Sequence, residues 1–122
     1  HVLTARYKIP HGASLSIVMP AWMKKLYKKR IKQYEKLAER VFEIDIKKNT
    51  KDIAILKSIN KFEHFLKEIG VPIRLSEYGI EKNNLSDILN DVVRISFGID
   101  GKLKCRPPIT KDEVFSVLLE AL

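Results

Sequence analysis

The chain has one cysteine, Cys105, in 122 residues, so an internal disulfide is excluded and the fold must rest on packing. A lone thiol agrees with a reducing, cytoplasmic setting. With no histidine or second cysteine close to it in sequence, Cys105 is not read as a nucleophile. Glycine is scarce, 5 in all, and no Gly-x-Gly-x-x-Gly or phosphate-loop pattern occurs, so the sequence carries no dinucleotide-binding turn. No apolar run reaches the ~20 residues a membrane span requires. The stretch from Ala13 to Met23 is broken by Ser14, Ser16 and Pro20 and follows no basic leader, so it is not read as a targeting segment. Acidic residues are also in deficit, 15 against 23 Lys and Arg, a net charge of +8.

That charge raises the possibility of a nucleic-acid partner. Its best support is Lys24-Lys-Leu-Tyr-Lys-Lys-Arg30-Ile-Lys32. The run contains no glycine and keeps Leu26, Tyr27 and Ile31 at helical spacing, which predicts an ordinary solvated helix face and makes nucleic acid an unfavoured partner. Hydrophobic residues at 45% and charged residues at 31% describe a globular chain, and the length predicts one domain over residues 1–122.

Helical periodicity runs almost throughout. His1 to Tyr7 reads as the tail of a helix. Gly12 to about Lys29 is apolar on nearly all sides in its first half, as in a helix at the centre of a domain, and Pro20 should kink it or end it near Met19. From Arg30 to Ile44, the positions Ile31, Tyr34, Leu37, Ala38, Val41 and Phe42 form one stripe. A further helix from about Thr50 to Ile69 carries Ile55, Ile59, Phe62, Leu66 and Ile69 as core, with Gly70 at its C′ position and Pro72 preventing continuation. Leu85 to about Phe97 buries Leu85, Ile88, Leu89, Val92, Val93 and Ser96. Residues 98–108 read as a loop with a turn at Asp100-Gly101. Thr110-Lys-Asp-Glu113 is a capping box for a last helix from Asp112 to Leu122, which buries Val114, Val117, Leu118 and Leu122. No strand is predicted, and the fold class is all-α, a helical bundle.

Two of the three histidines, His1 and His11, lie ten positions apart at the start. His11 sits in a Pro-His-Gly turn at the mouth of the first long helix, where the dipole favours the neutral ring that binds metals. Taken from the residues alone, it is either a capping and packing histidine or a ligand. His64 stands off the apolar stripe with only Glu68 and Asn60 at helical spacing, and is predicted to be a surface residue.

The string His-x-Leu-Thr-Ala-x-Tyr-x-x-Pro-His-Gly-Ala-x-Leu-x-Ile-x-x-Pro-Ala-Trp-Met at positions 1–23 resembles the start of the C-terminal domain of iron-containing alcohol dehydrogenases, of their butanol dehydrogenase-like branch in particular. Tyr34 to Ile44, Phe65 to Ile80 and Pro108 to Val114 match in family order. The resemblance implies the all-helical C-terminal domain of the dehydroquinate synthase-like fold. It implies that His11 is the last of four protein ligands to a divalent metal, Fe²⁺, Zn²⁺ or another such ion. His1 would lie near substrate and nicotinamide, a catalytic residue that orients a water or relays a proton without ligating the metal. An aspartate and two further histidines would complete the ligand set from sequence upstream of His1. NAD or NADP would be bound mainly by an N-terminal nucleotide-binding domain outside these residues. The substrate would be a small primary alcohol or aldehyde, the parent a homodimer, and this chain a piece that is inactive alone.

The sequence departs from the family where relatives carry an Asn-Pro-Arg-like or Asn-Phe-Lys-like turn. It has Cys105-Arg106-Pro107-Pro108 there, so neither Cys105 nor Arg106 is assigned a substrate contact. The competing reading is a free-standing basic helical module that binds a protein or a nucleic acid. An in-frame histidine about four residues before His1, with a nucleotide-binding domain before that, would separate the two.

Overall fold

The computed structural model describes residues 1–122, and six α-helices carry the chain: α1 Val2–Tyr7, α2 His11–Leu26, α3 Ile31–Arg40, α4 Lys51–Glu68, α5 Leu85–Ser96 and α6 Lys111–Glu120. Short 3-10 turns at Tyr27–Arg30, Leu75–Tyr78 and Lys82–Asn84 join them. No strand forms. The loop between α5 and α6 holds only two isolated antiparallel bridges, Phe97 to Leu103 and Leu103 to Ile109.

α2 is central. It packs on α6 and α1 along its length and on α4 toward its end. Ile17, Ala21 and Leu26 enter the main core with α1, α5 and α6, whereas Met23 and Tyr27 turn toward Ile55 and Ile59 of α4. A third, smaller cluster joins Ala38 of α3 to Ala54 of α4 and Ile44. A helix with neighbours on several sides has to be apolar on several sides, which accounts for its sequence.

Pro20 neither ends nor visibly interrupts α2, contrary to the expectation of a break near Met19. It lies buried in mid-helix, and the helix continues to Leu26. Its ring removes the bond that would reach the Ser16 carbonyl. Burial of Ile17 and Ala21 on either side holds both halves in line, and the Ser16 hydroxyl donates to the Pro72 carbonyl at 2.6 Å, tying the weakened turn to the 71–74 segment.

The predicted stripe on α3 is shortened. The helix ends at Arg40, Glu43 adopts φ 53°, and the Ile44 amide bonds back to the Ala38 carbonyl at 2.9 Å. That reversal buries Ile44 and leaves Val41 63% exposed. α4 follows its prediction closely. The Thr50 hydroxyl accepts from the Ile53 amide, and Gly70 at φ 75° closes the helix. There Val71 donates to Leu66 and Gly70 to Lys67, the paired bonds of a Schellman end,. Ile69 falls outside the core as a result and is exposed. On α5, Leu85, Ile88 and Leu89 are buried, but Val92, Val93 and Ser96 are only half-buried. At α6 the capping box forms in both directions, Thr110 Oγ1 accepting from the Glu113 amide and Glu113 Oε2 from the Thr110 amide. Ala121 is buried and Leu122 half-buried.

The basic run is not the free solvated face that the sequence predicts. Lys24 pairs with Glu63 at 2.7 Å, Lys25 with Glu120 at 2.9 Å and Lys29 with Glu113 at 2.8 Å, stapling the end of α2 and the following turn to α4 and α6. Partial burial pushes the Glu120 carboxyl up, but Lys25, Lys24 and Arg74 outweigh it and hold the group below the usual carboxylate range. His64 is exposed, as predicted, 3.4 Å from Glu68.

Two stability predictions follow from this packing. Ile88→Ala should cost about 2–5 kcal/mol in urea unfolding, since it empties a core site, whereas Val41→Ala should stay within about 0.5 kcal/mol. Equal effects would contradict the placement of the core. For Glu113, the Lys29 ammonium and then the Thr110 amide hold the carboxyl below its ordinary range. A lowered folded value adds stability above the unfolded pKa, and that stability is lost as pH falls through the folded value. Glu113→Gln should therefore destabilise by about 0.5–1 kcal/mol at neutral pH, a screened surface pair. The difference should vanish at pH values below the ordinary glutamate range, and a pH-independent difference would refute the assignment.

Candidate metal and substrate site

The two N-terminal histidines meet because of a short return segment. α1 rises about 9 Å over its six residues. Lys8 ends it in a left-handed conformation at φ 59°, and Pro10 leads into α2 extended, at φ −53° and ψ 142°. The three residues 8–10 between the helices bring the chain back toward the level at which α1 began. Ile9, fully buried, anchors this return. The constant offset records the result: His1 faces His11, and Thr4 faces Ser14, with their hydroxyls 3.4 Å apart. α1 and α2 thus start side by side and run in the same direction.

His11 is the first residue of α2 and Pro10 its N-cap. The expectation of a turn preceding a helix that begins at Gly12 is corrected by one residue, because Pro10 already has the extended backbone of a cap. The two imidazoles stack with centroids 5.3 Å apart and planes inclined by 10°. Both side chains belong to exposed residues.

They stand at the edge of a cleft of about 240 Å³ that is otherwise mainly apolar. α2 supplies Ser14, Leu15, Val18 and Trp22, spaced as one stripe below His11,. α5 supplies Ile88, Val92 and Ile95, and α6 closes the floor with Val114, Val117 and Leu118. Leu15 and Ile95 remain 51% and 61% exposed, an unusual cost for large aliphatic side chains unless another surface or a ligand meets them. The half-buried state of Val92 and Ser96 has the same origin, since both face this cleft.

The histidines can donate to a metal, but the chain alone does not complete a site. No group of three or more His, Cys, Asp or Glu side chains comes together anywhere in it. A metal lies in the plane of the imidazole that ligates it, and two stacked, nearly parallel planes share no such point. One ring of the pair would therefore ligate, and the other would stand beside it without ligating. An exposed imidazole at the rim of an apolar cleft fits the donor chemistry of Fe²⁺ or Zn²⁺ once further ligands are brought from outside.

Of the other sequence candidates, His64 lies far along α4 and does not line the cleft. Cys105 and Arg106 line a separate cavity. The Cys105 thiol donates to the Pro107 carbonyl at 3.3 Å, which agrees with a structural role. The apolar walls of the cleft were not singled out from the sequence. Their one signal there is the apolar excess of α2 beyond a single stripe.

All of residues 1–122 match the C-terminal part of the Fe-containing alcohol dehydrogenase family. The probable NADH-dependent butanol dehydrogenase 1 of Bacillus subtilis is 30% identical over 122 residues, covering 100% of this chain and 30% of that protein. The crystal structure of NADH-dependent butanol dehydrogenase A from Thermotoga maritima superposes with a TM-score of 0.83 at 31% identity, over 99% of this chain and 31% of that one. The substrate- and cofactor-free aldehyde reductase YqhD of Escherichia coli superposes at 0.86 with 25% identity, over 100% of this chain and 31% of that one. The chain thus spans a little under a third of the length of these relatives. Matched from end to end, it belongs to the Fe-containing alcohol dehydrogenase family, as the C-terminal part of that architecture.

Proposed function

We propose that this chain is the helical part of a metal-dependent, NAD(P)-linked alcohol dehydrogenase or aldehyde reductase. It would work only together with a nucleotide-binding domain that supplies the remaining ligands and the dinucleotide fold. The stacked His1–His11 pair at the rim of an apolar cleft carries this reading. Membership of the family, and relatives named as NADH-dependent butanol dehydrogenases and an aldehyde reductase, support it over a free-standing basic module. So does the ion pairing of Lys24, Lys25 and Lys29, which removes much of the basic run from any nucleic-acid role. The free thiol of Cys105 is in keeping with a cytoplasmic parent,, and no helix is long and apolar enough to cross a membrane.

His11 would hold the metal from the helical side. The stiff Pro10 cap and the first turn of α2 fix its ring. A divalent metal supplies Lewis-acid polarisation of the alcohol or aldehyde oxygen, and the nicotinamide supplies or accepts hydride. His1, held against His11 by the stack, orients a water or passes a proton at its exposed ring nitrogen. The walls of Leu15, Val18, Val92 and Ile95 take the aliphatic part of a small alcohol and exclude water from the reacting carbon.

Two outcomes test the reading. The 122-residue chain alone should show no turnover of 1-butanol with NAD or NADP, because a dinucleotide site and most ligands are absent from it. Turnover by the isolated chain would refute the dependence on a second domain. In the full-length parent, His11→Ala should remove metal and activity together without altering circular dichroism, since its exposed side chain leaves no core cavity. His1→Ala should retain metal while lowering kcat or moving its pH profile. Stoichiometric metal in the His11→Ala protein would show that His11 is no ligand.

A further inference from the structure

Trp22 is shared by two cavities. The first is the histidine cleft, and the second, of about 300 Å³, has no other residue in common with it. Trp22 lies eleven residues beyond His11 on α2, about 16 Å along the axis, so a small ligand in the second cavity does not reach the histidines.

This second cavity has an apolar floor and a cationic rim. Leu26 and Ile109 are buried beneath it, Trp22 and Tyr34 form aromatic walls, and Lys29, Arg30 and Arg106 stand around it with no carboxylate in the lining. Lys29 is already neutralised by Glu113 at 2.8 Å and tethered to the Pro108 carbonyl at 3.2 Å. Arg6, Arg74 and Arg94 each pair with a carboxylate, whereas Arg30, Arg40 and Arg106 have no acidic partner within the chain, and of these three Arg30 and Arg106 line this cavity. The two tyrosines of the turn region differ likewise. Tyr27 donates its hydroxyl to Asp52 at 2.7 Å, whereas the Tyr34 hydroxyl has no partner within the chain. Burial pushes the Tyr34 phenol up despite the nearby Arg30; like any neutral phenol it is a hydrogen-bond donor.

We propose that this cavity binds a small amphipathic carboxylate, aryl or short alkyl. The apolar body lies between Trp22 and Tyr34 over Leu26 and Ile109, and the carboxylate accepts from the guanidinium groups of Arg30 and Arg106 and from the Tyr34 hydroxyl. The arginine fork matches a carboxylate in shape and charge, and about 300 Å³ is the lower end of the range for small-molecule sites. A nucleic-acid backbone would need a row of cations along an open surface, and inorganic phosphate alone would leave the apolar floor unfilled. The inference is independent of the dehydrogenase reading, because it involves neither histidine nor a second domain.

Trp22 is the one tryptophan of residues 1–122 and borders both cavities, so its fluorescence reports a ligand in either, and sensitivity to substitution of Arg30 and Arg106, which line only the second, assigns the signal to it. Benzoate titrated into the protein should change that fluorescence saturably, with a Kd at least about tenfold lower than that of the neutral isostere benzamide. The double variant Arg30→Gln/Arg106→Gln should weaken benzoate by about tenfold or more while leaving benzamide unchanged. Tyr34→Phe should weaken it by a smaller factor. Both arginines are exposed and unpaired, so circular dichroism should be unaltered. Equal binding of benzoate and benzamide would overturn the proposal, as would a double variant within about twofold of the parent, inorganic phosphate binding as tightly as benzoate, or no saturation at all.

Discussion

α2 has to satisfy two environments at once, and the placement of the other elements depends on how it does so. One face, through Ile17, Ala21 and Leu26, joins the main core. Another, through Leu15, Val18 and Trp22, borders the cleft below His11. Because α2 is held by α6, α4 and α1, a mid-helix proline is tolerated at the point where it would ordinarily break an exposed helix. Loss of one backbone bond is small beside the apolar area that a straight helix keeps buried. The cleft is then what remains between α2, α5 and α6 once the core has closed below it.

Charge reinforces this arrangement. Lys24 sits between Glu63 of α4 and Glu120 of α6, at 2.7 and 3.7 Å, and Arg74 reaches Glu63 and the Glu120 carbonyl. With Lys25 also on Glu120 at 2.9 Å, three cations and two carboxylates thus close the end of the bundle where three helices and the 71–74 segment converge. Such half-buried groups are worth more as a network than as single surface pairs. Elsewhere, Arg6 links α1 to Asp87 and Asp91 of α5. Asp91 is held below the usual carboxylate range chiefly by the Arg6 guanidinium. A six-residue helix is too short to persist without such support, and the position of His1 depends on it.

A well-packed core coexists with exposed Leu15 and Ile95 in a chain that spans a little under a third of the length of its relatives. The exposed aliphatic side chains and the stacked histidines border one cleft and stand on the same side of the molecule.

The sequence was sufficient for most of the helical layout. Apolar spacing located α4 and α5, Thr110 and Glu113 marked the start of α6, and Gly70 marked the end of α4, because propensity, caps and periodicity act over a few residues. The motif at positions 1–23 singles out His1 and His11, and the fold stacks their rings. Other features depend on contacts distant in sequence. Pro20 stays inside α2 because neighbours pin both halves, and α3 stops at Arg40 because burying Ile44 requires a reversal at Glu43. The lysines of a seemingly solvated run face carboxylates 39 to 96 positions away, as the numbering of Lys24, Glu63 and Glu120 shows. The apolar walls of the cleft, too, are assembled from three helices. Local sequence determines which residues form a helix, but only the packing of those helices decides which faces are buried, which charges meet and where a cavity is left.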